Sequence, residues 1–413
     1  MRVAIVGGGI SGLVVAYLIS PRHDVTVFEA NAWAGGHSHT IDATVGGRSY
    51  AVDTGFVVYD PPTYPGFTTL LDRLGVATQP SEMSFSVRCV ASGLEYSGRS
   101  AAALFMQPGN LLSPAFYRML RDVLRFNREA PRLLHGDATT TLGAYLAAGR
   151  YSIEFRESYL VPMASAIWSA RPSQVLEMPA RSVAGFFQHH GLLRLRRRPQ
   201  WRAITGGARR YVEALTAGYR DRLRLRCRVE SVRRHADHVE VRTRDGAERF
   251  DRIVLATHGS QALRLLADPT PTEREVLGAF ADEENVAVVH TDASLLPSRR
   301  MGWAAWNVHL DPRVDRVALT YNMSLLQRLS SPEPICVTLN ATSAIDPAKV
   351  IARMTHLHPV YSRAAIAAQA QRENLNGPNR TYYCGAYWGY GFHEDGVASA
   401  LAVCRHFGGS LDR

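Results

Sequence analysis

Residues 2–29 read RVAIVGGGISGLVVAYLISPRHDVTVFE, and the order of textures in this stretch decides the fold. Residues 2–6 are a short, β-branched apolar run, as a buried parallel strand requires. Gly7-x-Gly9-x-x-Gly12 follows and opens a helical stretch that Ala16 continues with a small side chain. A second strand spans 25–28 and ends at Glu29, followed by Ala30. Strand, glycine turn, helix, strand and acid within about thirty residues is the dinucleotide-binding arrangement. Gly7 permits the tight turn, Gly9 lets the backbone approach a pyrophosphate, and Gly12 lets helix and strand pack closely. The N–H groups from Ile10 and Ser11 onward then meet a diphosphate at the helix N-terminus. Glu29 is placed to accept from adenosine ribose hydroxyls; an acid there disfavours a 2′-phosphate, so NADP is the least favoured ligand.

The same stretch contains nineteen consecutive uncharged residues, 3–21, which imitate a signal peptide or a membrane span. Three glycines interrupt the run, no small-residue cleavage site follows, and the next segment is another buried strand. A cytoplasmic location is expected.

The whole chain has 413 residues, 46% hydrophobic and 20% charged, which excludes a disordered or collagen-like polymer. Its length suits two or three domains, or one large domain with a second interleaved. The net charge is +10, and Lys349 is the single lysine among 47 basic residues. Five cysteines lie far apart with no zinc-like spacing, so free thiols and no metal site are expected.

Beyond Glu29 the glycine pair Gly35-Gly36 precedes His37, and Asp53-Thr54-Gly55 comes soon after. A paired glycine here allows a second close backbone approach, as a cofactor extending past its diphosphate needs. Near the C-terminus a strand at 381–383 leads through Gly385 into a second glycine-rich turn and helix, GFHEDGVASA at 391–400. That helix start could meet the other end of an extended cofactor.

On these residues the chain resembles the amine oxidase/phytoene desaturase superfamily of FAD-dependent flavoproteins. It is most similar to bacterial predicted NAD/FAD-binding proteins found beside cyclopropane fatty acid synthase-like genes. The likeness is carried by GGHSHT (35–40), VDTGFVVYDPPTYPGFTTLLDRLGV (52–76), AIWSA (166–170), WRAITGG (201–207), LATHGSQAL (255–263) and YCGAYWGYGFHEDG (383–396), and so covers essentially the whole chain. The resemblance implies an α/β fold, with a Rossmann-like FAD-binding domain (1–75, 201–268 and 378–413) interleaved with a mixed α+β substrate domain (76–200 and 269–377). It implies that Gly7, Gly9 and Gly12 face the diphosphate and Glu29 the ribose. Gly35, Gly36 and His37 would lie toward the ribityl side with Gly55 nearby, Gly207 near the isoalloxazine, and Val229 at adenine through its backbone. Gly385, Glu394, Asp395 and Val397 would belong to the helix beside the flavin diphosphate and ribitol. The superfamily's R-x-G-G-R pattern is broken here by Trp33 and His37, so no guanidinium can contact the cofactor from those positions.

A flavin performs hydride chemistry itself, so the protein must supply a shaped, mostly apolar pocket. Candidate lining aromatics are Phe56, Tyr59, Tyr64, Trp168, Trp303, Trp306, Trp388 and Tyr390. Trp388 and Tyr390 stand out because Gly385, Gly389 and Gly391 surround them. We take Trp388, Tyr390, His393 and Tyr59 as catalytic candidates. His37 and His393 read equally as acid–base groups or as structural hydrogen-bond partners; His39 reads as structural. His189-His190 and His356-x-His358 read as structural or solvent-facing. Superfamily amine oxidases place a lysine near flavin N5, and Lys349 reads instead as the exposed first turn of a helix.

The expected function is FAD-dependent hydride transfer between a substrate carbon and flavin N5, on an unsaturated or branched lipid-like substrate. A flavin amine oxidase and a redox-neutral isomerase are the alternatives. No nucleic-acid motif accompanies the basic charge. The run 194–202, with Arg194, Arg196, Arg197, Arg198 and Arg202 beside Trp201, suits peripheral contact with anionic lipid. No protein partner is identifiable.

Overall fold

The computed structural model describes residues 1–411 except 138, 196–198, 312 and 315. Its organising element is a five-stranded parallel sheet built from distant parts of the chain. In spatial order the strands are Leu223–Arg224, Asp24–Phe28, Arg2–Val6, Arg252–Leu255 and Thr381–Tyr383. All four pairings are parallel. Val3, Ala4, Ile5, Val25, Val27, Ile253 and Val254 are fully buried, as expected of strands covered on both faces.

Helix Ile10–Ile19 is buried on nearly every side, so it behaves as a core element and not as an amphipathic surface helix. It lies beside the C-terminal helix His393–Arg405, where Ser11 Oγ donates to the Gly396 carbonyl at 3.0 Å. A β-carbon on Gly396 would meet Ile10 and Ser11 at 2.9–3.0 Å, so glycine brings these two helix starts side by side.

In sequence, the alternating strand-like runs of 222–255 read as a return to the nucleotide-binding sheet. Only Leu223–Arg224 and Arg252–Leu255 join it. Val229–Arg234, Val239–Thr243 and Gly246–Phe250 form a separate antiparallel sheet.

The second large sheet has seven strands in the order Val350–Pro359, Asp282–His290, Cys336–Leu339, Ala318–Asn322, Trp306–Leu310, Phe85–Cys89 and Glu95–Ser97. Only Trp306–Leu310 and Phe85–Cys89 run parallel. Helices between 101 and 189 share a core with Val308, Leu319 and Tyr361, through Phe116, Phe126, Trp168, Phe186 and Phe187. The hairpin Thr40–Val45/Arg48–Asp53 shares a core with other parts of the same sheet, through Ala43, Val45 and Val52.

Residues 153–168 continue as one helical run through Pro162. A π-helical segment, Arg156–Leu160, precedes the proline and relaxes the clash its ring would make with an α-helical carbonyl. Lys349 ends a single 3-10 turn, Pro347–Lys349, and leads into a strand instead of opening a helix. Among the described residues, no helix is long and apolar enough to cross a membrane. All five cysteines are free.

Candidate active site and cofactor cleft

The parallel strands Arg2–Val6 and Arg252–Leu255 end side by side, and the cleft opens at those ends, where open α/β sheets bind ligands. Gly7 has φ +110°, and a β-carbon on it would sit 2.6 Å from the Ala256 carbonyl oxygen. A β-carbon on Gly12 would sit 2.0 Å from the Gly7 oxygen. Gly9 differs: nothing lies within 4 Å of where its β-carbon would be. Gly9 also caps helix Ile10–Ile19 without any side-chain hydrogen bond, and no acid occupies the helix's first turn. The helix N-terminus is therefore not neutralised by a side chain of its own, as anion binding requires.

The second glycine pair packs onto this turn. Gly35 N–H donates to the Gly8 carbonyl at 2.7 Å, and a β-carbon on Gly36 would approach Gly9 Cα at 3.1 Å. Glu29 is buried at the end of its strand, accepting from Gly8 N–H and Asn31 N–H, each at 2.7 Å. Each oxygen keeps a further lone pair for a ribose hydroxyl. Ala30 is exposed beside it. Cys227 N–H donates to the Glu29 carbonyl at 2.8 Å, and Val229 joins Val6 and Phe28 in one apolar cluster.

Gly55 packs tightly on His37, where a β-carbon would sit 2.5 Å from the His37 oxygen. The His37 ring meets three other imidazoles: His356 at 4.9 Å, His358 at 5.3 Å and His258 at 6.2 Å between centroids. His356-x-His358 is thus interior and not solvent-facing, because its alternation on strand Val350–Pro359 turns both rings to His37. Burial, then the neighbouring imidazoles, hold His37 well below the usual histidine range. His358 falls to about 3 for the same reasons. His39 stacks on Trp33 at 4.3 Å and bonds Thr54, a structural arrangement. His190 is buried against Asp60 and Thr63.

Gly207 adjoins Asp53, which accepts from Thr40 Oγ1 at 2.6 Å, Ala208 N–H at 2.8 Å and Gln327 Nε2 at 2.9 Å. Burial raises Asp53 to about 7 against the opposing effect of these hydrogen bonds.

The C-terminal helix start is held by its own acids. Asp395 accepts from Tyr390 N–H at 3.0 Å and Phe392 N–H at 2.9 Å, and burial raises it to about 6. Glu394 accepts from Gly66 and Phe67 N–H, each at 2.9 Å, and so caps helix Pro65–Leu74. His393 bonds Ser38 at 2.8 Å and Tyr211 at 3.0 Å, stacks on Phe56 at 3.6 Å, and is lowered to about 3 by burial. It is a neutral hydrogen-bond partner in this state. Gly385 N–H donates to Ser399 Oγ at 2.9 Å, and Val397 is core.

A cavity of about 270 Å³ lies between the helical layer and the C-terminal turn. Trp168, Met178, Tyr361, Ile366 and Tyr390 line it, with Ser182 and Gln369 as its polar side chains. A narrower pocket shares Trp168, Met178 and Tyr361 and reaches Glu283 and His358. Among the lining residues, the indole Nε1 of Trp168 and the hydroxyl of Tyr361 are buried without a hydrogen-bond partner.

Residues 10–290 match the sequence profile of the flavin containing amine oxidoreductase family. The chain belongs to that family. Solved structures of the same fold include a putrescine oxidase variant, at 14% identity and TM-score 0.72 over 98% of this chain and 99% of that one. Cyclohexylamine oxidase from Brevibacterium oxydans aligns at 17% identity and TM-score 0.70, over 98% and 99% of the two chains. A conjugated linoleic acid-producing fatty acid isomerase from P. acnes aligns at 16% identity and TM-score 0.70, over 98% of each. No curated protein matches the sequence.

This flavin containing amine oxidoreductase uses FAD, and its residues fit that group: an open Gly9, a helix start without a side-chain cap, and Glu29 fixed at the second strand. The expected catalytic set is not assembled in one place. Tyr390 lines the cavity, but Trp388 packs on Phe280 and Tyr387 at 5.2 and 4.8 Å in the core. Trp388 ends the 3-10 turn Ala386–Trp388, and Tyr390 lies beyond it, past the C-cap Gly389. Tyr59 is buried against Tyr64 and Phe67. Trp303 bonds the Pro297 carbonyl, and Trp306 packs on Tyr321. Met178, Tyr361, Ile366 and Gln369 escaped the sequence reading; isolated residues of these types carry no local signal. Lys349 pairs with Asp292 at 3.8 Å with its side chain 45% exposed.

Proposed function

We propose that this oxidoreductase acts on an unsaturated or branched lipid-like chain, moving hydride between a substrate carbon and flavin N5. The observation that carries this reading is the apolar cavity between Trp168, Met178, Tyr361, Ile366 and Tyr390. Its volume is near the roughly 300 Å³ lower bound of ligand pockets, enough for a chain segment. No carboxylate lines it among the described residues. A charged ammonium placed there would lose several kcal/mol of hydration, to order of magnitude, without a partner. Glu283 of the adjoining pocket is already paired with Arg171 and Arg316.

A bound flavin supplies hydride acceptance or donation. The chain's part is to align the substrate: Trp168 and Tyr390 give flat apolar walls, and Gln369 holds the turn by donating to the Tyr387 and Gly389 carbonyls at 2.9 and 2.6 Å. We assign 1–75, 201–268 and 378–413 to the cofactor half and the remainder to the substrate half. The likeness to proteins encoded beside cyclopropane fatty acid synthase-like genes supports a lipid substrate, and a structural neighbour named as a fatty acid isomerase is in keeping with it.

Anaerobic mixing with fatty acids, phospholipids and amines tests the reading. Flavin bleaching by a lipid and not by amines is expected. Bleaching by amines alone overturns it in favour of amine oxidation, and a shifted double bond without net reduction identifies an isomerase.

A further inference from the structure

Four imidazoles meet where the diphosphate turn faces the second sheet, and they come from three separate segments. His37 follows Gly36, whose missing side chain faces Gly9. His258 follows the strand Arg252–Leu255 and caps helix Gly259–Leu265. His356 and His358 project from one face of Val350–Pro359. The rings lie nearly parallel, with interplanar angles of 8–27°. Stacked rings carry their nitrogens at the edges of the column instead of aiming them at one point. Among the described residues, no group of three or more His, Cys, Asp or Glu is arranged to hold a metal ion.

We propose that this histidine column is the protonatable counter-charge for the cofactor's diphosphate, taking up protons when FAD binds. The inference rests on FAD being the cofactor. The superfamily pattern puts a permanent guanidinium at the position of His37, and the helix N-terminus alone provides only a partial charge. Two ring nitrogens of the column, His356 Nε2 and His358 Nδ1, are buried with no hydrogen-bond partner. His356 is only 8% exposed. Such atoms are rare in native interiors and leave these rings with hydrogen-bonding capacity for a partner.

Burial, then the neighbouring imidazoles, keeps His37 and His358 neutral until an anion arrives, and burial likewise lowers His356. His258 Nδ1 lies 2.5 Å from Asp282, which also accepts from Ser260. Glu283 is the cross-strand neighbour of His358 but is already paired with Arg171 and Arg316. His39 acts on His356, and His393 on His37, each disfavouring a second positive charge. Glu29, on the far side of the turn, is held by Gly8 and Asn31. Among the described residues, direct compensation thus comes from Asp282, and it serves His258. A diphosphate seated at Gly9 adds negative charge beside His37, raises the affinity of the column for protons, and is held more tightly in return.

The test is FAD binding to apoprotein, followed by fluorescence quenching from pH 5.5 to 8.5. Kd should rise with pH, by up to about tenfold per unit for each linked proton. Calorimetry in buffers of different ionisation heat should show net proton uptake with FAD and none with riboflavin, which lacks the diphosphate. His37→Arg should flatten the pH profile while retaining FAD binding. A flat wild-type profile with no proton uptake overturns the proposal and leaves FAD as cofactor, and equal uptake with riboflavin also overturns it. Failure to bind FAD at any pH overturns the cofactor assignment and this inference with it.

Discussion

Asp53 and Gln327 hold each other by two hydrogen bonds: Gln327 Nε2 donates to Asp53 Oδ2 at 2.9 Å, and Asp53 N–H donates to Gln327 Oε1 at 3.0 Å. The pair ties the hairpin beside the cofactor cleft to the end of helix Met323–Leu326 against the second sheet. Both residues are buried, so each is the other's substitute for water.

Stability should carry the signature of this carboxyl. Its folded pKa of about 7 lies above the unfolded value near 3.9. The contribution of Asp53 is therefore full below about pH 4 and is lost as pH rises toward 7. Urea unfolding of Asp53→Asn should show a flatter dependence between pH 4 and 8 than wild type. Gln327→Leu should cost about 1–3 kcal/mol at pH 7, because the Asp53 N–H and carboxylate lose their partner. Identical pH profiles for wild type and Asp53→Asn would remove Asp53 as the titrating group.

The glycines of the first turn should separate under substitution. Gly9 has φ −76° and open space beyond it, so Gly9→Ala should unfold within about 0.5 kcal/mol of wild type yet bind FAD more weakly. Gly12→Ala drives a methyl into the Gly7 carbonyl and should cost about 4 kcal/mol or more. Thermal melts with and without FAD distinguish the two. Full FAD affinity in Gly9→Ala would place the diphosphate elsewhere.

Two bulky-residue changes should divide binding from folding. Ile366→Trp fills part of the cavity and should raise KM for a lipid substrate about tenfold or more, with the flavin spectrum unchanged. Trp388→Ala empties a core position and should cost about 3–5 kcal/mol without altering KM in the protein that remains folded. Steady-state kinetics beside chemical denaturation reads both, and the reverse pattern would put Trp388 in the pocket.

For the basic run we propose contact with anionic lipid, in a smaller form than its sequence suggests. Arg196, Arg197 and Arg198 lie outside the described residues. Arg202 donates to the Thr78 hydroxyl at 2.8 Å, and Trp201 stacks on His190. Changing Arg194, Arg196, Arg197 and Arg198 to Gln should weaken binding to phosphatidylserine vesicles by about 1 kcal/mol per residue at low salt. Unchanged sedimentation with vesicles would leave the run as ordinary surface.

What the sequence made legible was local. Gly7, Gly9, Gly12 and Glu29 lie within one supersecondary unit, so their spacing reports their geometry directly. The same holds for strand 381–383 and the helix beginning at His393. The histidine column could not be read that way: its members are separated by up to 321 positions, and only topology brings them together. Trp388 and Tyr390 share one glycine-rich motif but not one environment, because the chain leaves its 3-10 turn at Gly389, between them. Lys349 was legible as exposed but not as the lead into a strand, since Pro-Ala-Lys suits either a helix start or a turn.

The dispersed origin of the parallel sheet also dictates when the cofactor can be acquired. Its first strand needs a neighbour made some 250 residues later, and its last strand lies beyond residue 380. At roughly 5–20 residues per second, the ribosome takes on the order of 20–80 s to deliver that last strand. Through this interval the almost wholly apolar helix Ile10–Ile19 has neither its closing helix nor its finished sheet, and it is the segment a chaperone would shield. FAD loading therefore has to wait for that last strand to emerge and cannot be an early guide to folding.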